Sequence, residues 1–407
     1  MRWDRKVPNR KATIVIFCSA LIVFVSMGIR QSFGLFLAPI SQDLGIGREV
    51  FSLAIAWQNL IFGLPIVGIL SDHFGPRWVV AGGALLYAVC FFLLSSVSTP
   101  LGLYTVLGVL MGIALSSISY VVVLGAVAQV VAPEKRASFF GLITAAGSFG
   151  TFALVPGVQW LLSGVGWQSS FAFIALVAGV SAFLAIGIPS RGREVSPNTI
   201  ESHDGSLLQA LLQARSHSGY WLLNAGFFVC GFHVAFIATH LPAFLTDHGL
   251  SKMVGATALS LIGLFNIFGS YLSGQLGDRY RKKYLLSLLY FGRAIVISGF
   301  LFIPVTNTSA LVFGSLIGFL WLATVPLTSG TVAQIFGSRY LSTLYGIVFF
   351  SHQIGSFLGV WLAGRVYDAT GSYDMIWIAA ILLAMTSSLV HLPIADKPLQ
   401  RLETVRP

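Results

Sequence analysis

Charged residues are scarce in this sequence: Lys, Arg, Asp and Glu make up only 9% of its 407 residues, while 56% are hydrophobic. Soluble domains carry about 25% charged residues, so this chain lacks the charge to cover a water-exposed surface. Its apolar runs of about 20 residues are long enough to cross a bilayer as helices, which excludes a transmembrane barrel. The composition therefore predicts an all-α integral membrane protein.

Cysteines and catalytic motifs are also scarce. Cys18, Cys90 and Cys230 lie singly in separate apolar runs, a pattern that predicts neither a disulfide framework nor a metal site. The sequence has no His-Glu-x-x-His motif and no Gly-Lys-Ser/Thr phosphate loop, which argues against a membrane-embedded metalloenzyme and against direct use of ATP. We expect no enzymatic activity, no cofactor and no metal.

Acidic residues are absent from the apolar runs, because all 14 can be assigned to loops, tails or helix ends. Arg30, Arg293 and several histidines lie inside the runs. An ionisable residue in a membrane span costs at least about 2.5 kcal/mol and marks a functional site by default. A cavity with cations but no counter-ion favours an anionic substrate, and a carboxylate matches the guanidinium group best.

The net charge of +10 follows from membrane topology. In a twelve-helix layout, 19 Lys and Arg residues fall on the side of the two termini and 3 on the other, with Arg30 and Arg293 inside spans. By the positive-inside rule both termini are cytoplasmic. The basic residues are expected to meet anionic lipid heads, and no nucleic-acid partner is predicted. We expect a monomer in the inner membrane of a bacterium.

Two similar halves are predicted on either side of a polar linker. Residues 1–189 form the first six-helix bundle, 190–218 a cytoplasmic linker with a short amphipathic helix near Leu207, and 219–407 the second bundle with a short tail. The predicted spans are 12–39, 51–71, 77–97, 101–131, 137–163, 167–189, 219–245, 253–275, 284–304, 308–335, 340–364 and 373–395.

Glycines and polar turns repeat between the halves at a nearly constant offset, which indicates an internal duplication. Gly108 and Gly112 match Gly314 and Gly318 at 206 residues, and Gly141 and Gly150 match Gly346 and Gly355 at 205. A polar turn also occurs twice at corresponding points, with the residues Gly68, Asp72, Gly75 and Arg77 in the first copy and Gly274, Asp278 and Arg279 in the second.

These turns resemble the loop between helices two and three of the major facilitator superfamily, and its echo between helices eight and nine. The second copy departs from the pattern, since Arg281 stands where a glycine is usual. The resemblance implies two pseudo-symmetric six-helix bundles with helices 1, 4, 7 and 10 around a central cavity. It also implies that Asp72 caps a helix of the opposite half in the outward-open state and pairs with Arg77. The alternative to this functional role is an ordinary turn that only closes a helix hairpin.

Gly-Ile-Arg30-Gln-Ser-Phe33-Gly-Leu-Phe in helix one is similar to the bacterial branch of the monocarboxylate porters and oxalate/formate exchangers. Those families commonly carry an arginine in helix eight, where this chain reads Leu264-Phe-Asn266-Ile-Phe. The resemblance implies a secondary transporter of a small organic anion, a mono- or dicarboxylate, working by alternating access. The alternative is a proton-coupled exporter of amphipathic compounds, although the helix-four arginine typical of many such exporters is replaced by Gly108.

Polar and aromatic residues on the predicted cavity helices, with two on helices eight and eleven, form the candidate substrate site. They are Arg30, Gln31, Phe33, Ser119, Tyr120, His233, Phe236, Asn266, Trp321, Thr324 and His352. Each has a structural alternative: Arg30 could extend to the outer headgroups, and the others could bond neighbouring helices. Arg293, on a peripheral helix, is predicted to bind backbone carbonyls or lock neighbouring helices.

Proton coupling, if present, cannot use a membrane-embedded carboxylate. Histidine is the other side chain that normally titrates near neutral pH. His233 is our candidate carrier, because it lies on helix seven and the duplication relates it to Arg30. A bound carboxylate would relieve the repulsion between the two cations, so that substrate and proton load together.

Overall fold

A computed structural model describes residues 10–64, 66–190, 207–337 and 340–399. This part of the chain is helical and contains no strand. Most of the predicted linker, residues 191–206, and both extreme tails lie outside the described residues. The amphipathic helix of the linker is present as Leu207–Ser216, and it exposes Leu208 and Leu212.

The first half contains six helices, which we number α1 to α6. They are α1 (Arg10–Gln31, a 3-10 turn Phe33–Phe36, then Leu37–Asp43), α2 (Arg48–Phe62 and Ile66–Phe74), α3 (Pro76–Leu94), α4 (Pro100–Gly102, the π-helical Leu103–Leu110, Met111–Ser117 and Tyr120–Ala128), and the stretch Pro133–Leu184, in which α5 and α6 meet at Gly166. Gly166 has a φ of 76°, which ends α5 and lets α6 begin.

The second half repeats this plan as α7 to α12. They are α7 (Ser218–Asp247), α8 (Lys252–Arg279), α9 (Lys282–Phe302), α10 (Asn307–Phe319 and Thr324–Phe336), α11 (Leu341–Thr370) and α12 (Asp374–His391). Ten helices among the described residues are long and apolar enough to cross a membrane. Separating α5 from α6, and joining the two segments of α2, gives the predicted twelve. The boundaries agree with prediction to within several residues, and α11 extends furthest beyond it.

Equivalent helices pack in the same way in the two halves. In the first half α1 lies against α5, α2 against α4 and α3 against α6, and in the second half α7 lies against α11, α8 against α10 and α9 against α12. Gly108 and Gly314 lie at these contacts. A Cβ atom at Gly108 would lie 3.2 Å from the carbonyl oxygen of Ala54, and one at Gly314 would lie 2.6 Å from that of Ala258. The predicted pseudo-symmetry is confirmed at the level of backbone contact.

The helices α5 and α11 each contain two of the repeated glycines. In each helix only one of the two packs closely against another helix. A Cβ atom at Gly150 would overlap the carbonyl oxygen of Phe24, and one at Gly355 would overlap that of Phe228. A Cβ atom at Gly141 or Gly346 would lie within 4 Å of no described atom. Close backbone contact at small residues is what holds helices together where lipid gives no hydrophobic drive.

This difference in packing predicts that glycine-to-alanine substitution has opposite effects on stability at the two kinds of position. Gly150→Ala and Gly355→Ala should each destabilise the protein by about 1–3 kcal/mol, because the new methyl group forces two helix backbones apart. Gly141→Ala and Gly346→Ala are matched controls in the same helices, and should be neutral or stabilising by up to about 1 kcal/mol. Thermal unfolding in detergent measures the difference, and equal melting temperatures within each pair would contradict the proposed packing.

The basic residues at the start of α9 bind the chain segment that follows α12. Arg281 forms hydrogen bonds of 2.5 and 3.2 Å with Asp396, and Lys283 donates to the carbonyl oxygens of Leu392 and Ile394, each at 2.9 Å. The hydrogen bonds from Arg281 lower the pKa of Asp396. These cations therefore anchor the C-terminal segment of the second bundle.

Candidate functional site

The two halves meet along two pairs of helices, α2 with α11 and α5 with α8, and α1 touches α7 beside them. We call the Asp43–Arg48 side of the protein outer and the side of the linker helix inner, following the charge distribution. At the α1–α7 contact a Cβ atom at Gly34 would overlap the carbonyl oxygen of Ala238. The halves therefore touch directly in the outer part of the protein.

An outer network of polar side chains closes this side, formed by Arg48 and Glu49 of the first half with Asp247, Trp361, Arg365, Asp368 and Tyr373 of the second. Arg48 makes two hydrogen bonds of 2.7 Å with Asp247 and one of 2.9 Å with the Tyr373 hydroxyl. Burial opposes the charge of Arg48, but its hydrogen bonds to Asp247 and Tyr373 outweigh this effect and raise its pKa. Glu49 accepts from Trp361 at 2.9 Å and pairs with Arg365 at 3.5 Å.

Asp368, near the end of α11, caps the first turn of α2. Its two carboxylate oxygens accept the backbone N–H groups of Arg48 and Glu49 at 2.9 and 2.8 Å. A helix leaves its first N–H groups unpaired, and a carboxylate there also interacts favourably with the helix dipole. The outer end of α2 is thus completed by a residue of the opposite half.

The contacts between the halves stop near the middle of the protein. Between α2 and α11 the innermost hydrogen bond joins the Gln353 amide to the Asn59 carbonyl oxygen at 2.8 Å. Between α5 and α8 it joins the Asn266 amide to the Ser148 hydroxyl at 2.9 Å. Further inward, the hydrogen bonds of the described residues join no residue of one half to the other. The protein is closed at the outer side and separates toward the inner side.

Weakening the outer network should favour opening at the outer side. Asp368→Asn and Asp247→Asn each remove a charge from hydrogen bonds worth about 1.5–3 kcal/mol, and about 1.4 kcal/mol shifts an equilibrium tenfold. Spin labels at the exposed positions Gln42 and Ala369, on the outer ends of α1 and α11, should report a longer distance in both variants. Asp374→Asn, at an exposed acid outside the network, is the control. Unchanged distances in the two network variants would show that these contacts do not hold the outer side closed.

Arg30 lies at the level where the halves separate, at the end of the first segment of α1. Its Nη2 donates to Asn59 Oδ1 at 2.6 Å, and its guanidinium lies 4.7 Å from the centre of the Phe62 ring. Tyr87 and Tyr120 are close enough to interact with its charge. None of the ion pairs among the described residues includes Arg30. A partly buried guanidinium is therefore held by a neutral amide and aromatic rings.

The two halves both have a broken helix at this level. In the first half α4 breaks at Ile118–Ser119, so Tyr120 opens a new nine-residue helical segment. In the second half α10 breaks between Phe319 and Thr324. Breaks in spanning helices require other partners for the backbone groups that they release.

Arg293 and Asn266 bind the backbone released by the break in α10. The Arg293 guanidinium donates to the Leu320 carbonyl oxygen at 2.8 Å and to that of Trp321. Asn266 Oδ1 accepts the backbone N–H of Leu322 at 3.0 Å. The prediction that Arg293 binds backbone carbonyls is confirmed. Side chains of neighbouring helices thus bind both carbonyl oxygens and an N–H group of the backbone at the break.

His352 and Cys230 lie beside this break. The His352 ring is held between Phe227 and Phe349, with centroid distances of 4.8 and 5.7 Å, and its Nδ1 lies 2.9 Å from Gln353 Oε1. Cys230 Sγ lies 3.3 Å from the Thr324 hydroxyl. The predicted residues Asn266, Trp321, Thr324 and His352 are thus brought to one region of the second half, with Cys230 among them.

Three other predicted residues contact helices outside this region. His233 Nε2 lies 2.9 Å from the Ala380 carbonyl oxygen of α12, and its Nδ1 has no hydrogen-bond partner among the described residues. Phe236 packs on Trp377 of α12 with ring centroids 4.7 Å apart, and Phe33 stacks on Phe91 of α3 at 5.8 Å. The structure does not bring His233 together with Arg30, and the role of His233 as proton carrier stays a prediction. Gln31 is partly buried beside Arg30, and Ser119 is buried at the start of the second segment of α4.

The two polar turns lie at the inner ends of α2 and α8. Arg77 donates from Nε to the Ile188 carbonyl oxygen at 2.7 Å, so it ties α3 to the end of the first half. Gly75 has a φ of 86° at the start of α3, a conformation that favours glycine. Asp278 and Arg279 are exposed, and a Cβ atom at Gly274 would lie within 4 Å of no atom in the described part of the chain. The side chain of Asp72 and the surroundings of Gly68 lie outside the described part of the chain.

Sequence reasoning missed Asn59 and Phe62, which contact Arg30 directly, and the bond from Gln353 to Asn59. Asn59 follows Gln58 inside an apolar run of α2. Two amides in a membrane span are unusual enough to suggest a buried hydrogen-bonding position. The resemblance implies a cavity between helices 1, 4, 7 and 10, which leaves α2 and α11 out of the expected site.

The family model of the Major Facilitator Superfamily matches residues 19–360. The chain belongs to this superfamily of transporters, and it is accordingly an integral membrane transport protein and not an enzyme. This agrees with the twelve helices, the duplicated halves and the separation between them.

Curated relatives match over most of their length. An uncharacterized MFS-type transporter of Bacillus subtilis, YcxA, is 26% identical over 97% of both chains. Monocarboxylate transporter 13 of Rattus norvegicus is 27% identical over 93% of this chain and 87% of its own length, and monocarboxylate transporter 12 of Xenopus laevis is 27% identical over 79% and 73%.

Solved structures of transporters share the fold. A bacterial homolog of the human lysosomal transporter Spinster, in an inward-facing and unoccupied conformation, has a TM-score of 0.71 at 15% identity over 96% of both chains. The D-xylose-proton symporter has a TM-score of 0.73 at 14% identity, over 96% of this chain and 99% of its own. At these identities the similarity concerns the fold alone.

Proposed function

We propose that this transporter carries a small organic anion, a mono- or dicarboxylate, by alternating access, and that Arg30 binds the carboxylate. The observation that carries the proposal is the pairing of Arg30 with the neutral Asn59 side chain, without a carboxylate partner among the described residues. A charge in a span costs at least about 2.5 kcal/mol. A substrate carboxylate would supply the missing negative charge and accept two parallel hydrogen bonds from the guanidinium.

The surroundings of Arg30 suit an anion of modest size. The second segment of α4 starts at Tyr120 within the membrane, and the N-terminal end of a helix carries partial positive charge. Half-helices of this kind point at anionic groups in other transporters. Phe62 and Tyr120 offer apolar and aromatic surface beside the guanidinium. The curated relatives named monocarboxylate transporters support the same substrate class.

Counterflow in proteoliposomes tests the substrate class and the role of Arg30. We expect exchange of at least one of lactate, succinate and benzoate, and a loss of about tenfold or more in Arg30→Gln, because a charge-assisted hydrogen bond is worth about 1.5–3 kcal/mol. Arg30→Lys should show intermediate counterflow, since an ammonium group keeps the positive charge but cannot donate two parallel hydrogen bonds to a carboxylate as a guanidinium does.

Arg215→Gln is the control for general effects of charge loss, because Arg215 lies on the exposed face of the linker helix. Equal counterflow in Arg30→Gln and the parent would remove Arg30 from the site. Selective transport of neutral or cationic compounds would instead favour the exporter of amphipathic compounds.

We also propose that the protein resides as a monomer in the cytoplasmic membrane of a bacterium, with both termini and the linker inside. The asymmetry of basic residues supports this orientation. An impermeant thiol reagent added to intact cells should leave Ile200→Cys unlabelled, and should label it once the membrane is opened. Labelling of this variant in intact cells would reverse the assigned orientation.

A further inference from the structure

His240, on the outer part of α7, is fully buried where α2, α7, α11 and α12 meet. Its Nε2 lies 3.0 Å from the Val360 carbonyl oxygen of α11 and 3.3 Å from the Ser52 hydroxyl of α2. Its Nδ1 lies 3.0 Å from the hydroxyl of Tyr373, the residue before α12. Both ring nitrogens therefore have partners, and one of these partners, Ser52, belongs to the opposite half of the protein.

The partners fix the direction of each hydrogen bond around this ring. The Val360 carbonyl oxygen can only accept, so Nε2 carries the hydrogen and Nδ1 of the neutral ring is a bare acceptor. The Ser52 hydroxyl agrees with this assignment, because its own hydrogen goes to the Arg48 carbonyl oxygen at 2.6 Å and its oxygen is left to accept. The Tyr373 hydroxyl must then donate to Nδ1.

The same Tyr373 hydroxyl links His240 to a cation of the outer network. Its oxygen accepts from Arg48 Nη1 at 2.9 Å, while its hydrogen goes to the ring. A proton on Nδ1 would place two donors face to face, so the hydroxyl would have to turn away. The Tyr373 oxygen would then accept from an imidazolium and a guanidinium at once, and these like charges repel each other. The closed network therefore accommodates the neutral ring and opposes the charged one.

Several other charged and titratable side chains lie at the outer ends of the helices packed around His240. They are Asp43 on α1, Arg48 and Glu49 on α2, Lys252 on α8, Arg365, Tyr367 and Asp368 on α11, Tyr373 and Asp374 on α12, and Asp247 and His248 at the end of α7. None of the described carboxylates hydrogen-bonds to His240. Those of the outer network are already engaged with Arg48, with Arg365 and with the first turn of α2. The closed state thus offers no anionic partner to a charged ring.

We propose that His240 is a proton-binding site that opens the outer side, and that the proton and Arg48 are alternative cations for this face of the second half. In the closed state Arg48 binds Asp247 and Tyr373, and His240 is neutral. When the outer side opens, Arg48 leaves with the first half and water reaches the ring. Asp247 lies seven residues after His240, two turns along the same face of α7, so its released carboxylate favours an imidazolium there. One proton from the outer solution bonds to Nδ1, and no other covalent bond forms or breaks.

The sign of the pH effect follows from this difference between the two states. The inference rests on the alternating access of the proposed function and not on its substrate class. Because the open state binds the proton and the closed state does not, acid on the outer side should favour opening. A histidine in contact with water titrates near about pH 6.5, whereas carboxylates ordinarily titrate near about pH 4. One such site should raise the ratio of open to closed protein about tenfold between about pH 7.5 and about pH 5.5.

The spin-label pair at Gln42 and Ala369 measures this ratio in lipid nanodiscs without substrate. In the parent, the long-distance population should grow by the tenfold ratio as the pH falls over this range. His240→Gln and His240→Asn should show no pH dependence, because an amide does not titrate. Glutamine keeps a donor near the position of Nε2 and asparagine keeps an acceptor near that of Nδ1, so one folded variant is enough for the test. A purely structural role would change the distances equally at both pH values and leave the pH dependence intact.

His248→Gln is the matched control. His248 is exposed at the end of α7, with Nδ1 2.8 Å from the Phe244 carbonyl oxygen, and the variant should keep the full pH response. No pH response in the parent would overturn the inference. An undiminished response in the folded His240 variants would also overturn it, as would a loss of the response in His248→Gln alone. The counterflow experiment tests the substrate separately, so its failure with every carboxylate would overturn the proposed substrate class and leave this proton site standing.

Discussion

Polar groups at the centre of this protein must find partners inside the protein, because hydrocarbon offers none. This constraint explains why the most buried arginine, Arg293, is bound to a broken helix. The guanidinium takes the carbonyl oxygens of Leu320 and Trp321, and Asn266 takes the N–H of Leu322 from the other side. The break in α10 is therefore a stable feature, and it keeps Thr324 and Cys230 next to each other in the second half.

The same constraint separates the roles of the two membrane arginines. Nε and Nη2 of Arg293 donate to backbone oxygen atoms, while Nη1 has no hydrogen-bond partner among the described residues. Arg293 therefore stabilises the broken helix and supplies a fixed positive charge. Arg30 has one amide partner and an aromatic ring, and it lies where the halves separate. The two halves thus share a similar backbone but differ in their cations: Arg293 binds backbone oxygen atoms, whereas Arg30 has a side-chain amide and an aromatic ring as partners.

Hydropathy, charge asymmetry and repeated glycines predicted the helices and the two halves, because these depend on properties summed over long segments, and the short polar turns around Asp72 and Asp278 indicated the family. The site was harder to predict, because it depends on the rotation of single helices about their axes. Half a turn of α7 decides whether His233 faces the cavity or the Ala380 carbonyl, and spacing along one helix does not contain that information. Asn59 and Gln353 belong to the site only because α2 and α11 cross there, a contact between residues 294 positions apart.

The capping of α2 by Asp368 ties the shape of the transporter to the solution outside it. The side chains of Arg48 and Asp247 in the same network are 11% and 29% exposed, so dissolved ions reach their edge. Exposed charge pairs weaken as the Debye length falls, from about 10 Å at 0.1 M salt to about 3 Å at 1 M. The stability of the closed outer side is thus a function of the ionic strength of the solution on that side, whereas the buried contacts around Arg293 are shielded from it. Salt on one side of the membrane therefore affects one conformation of the transport cycle, the one that is closed at the outer side.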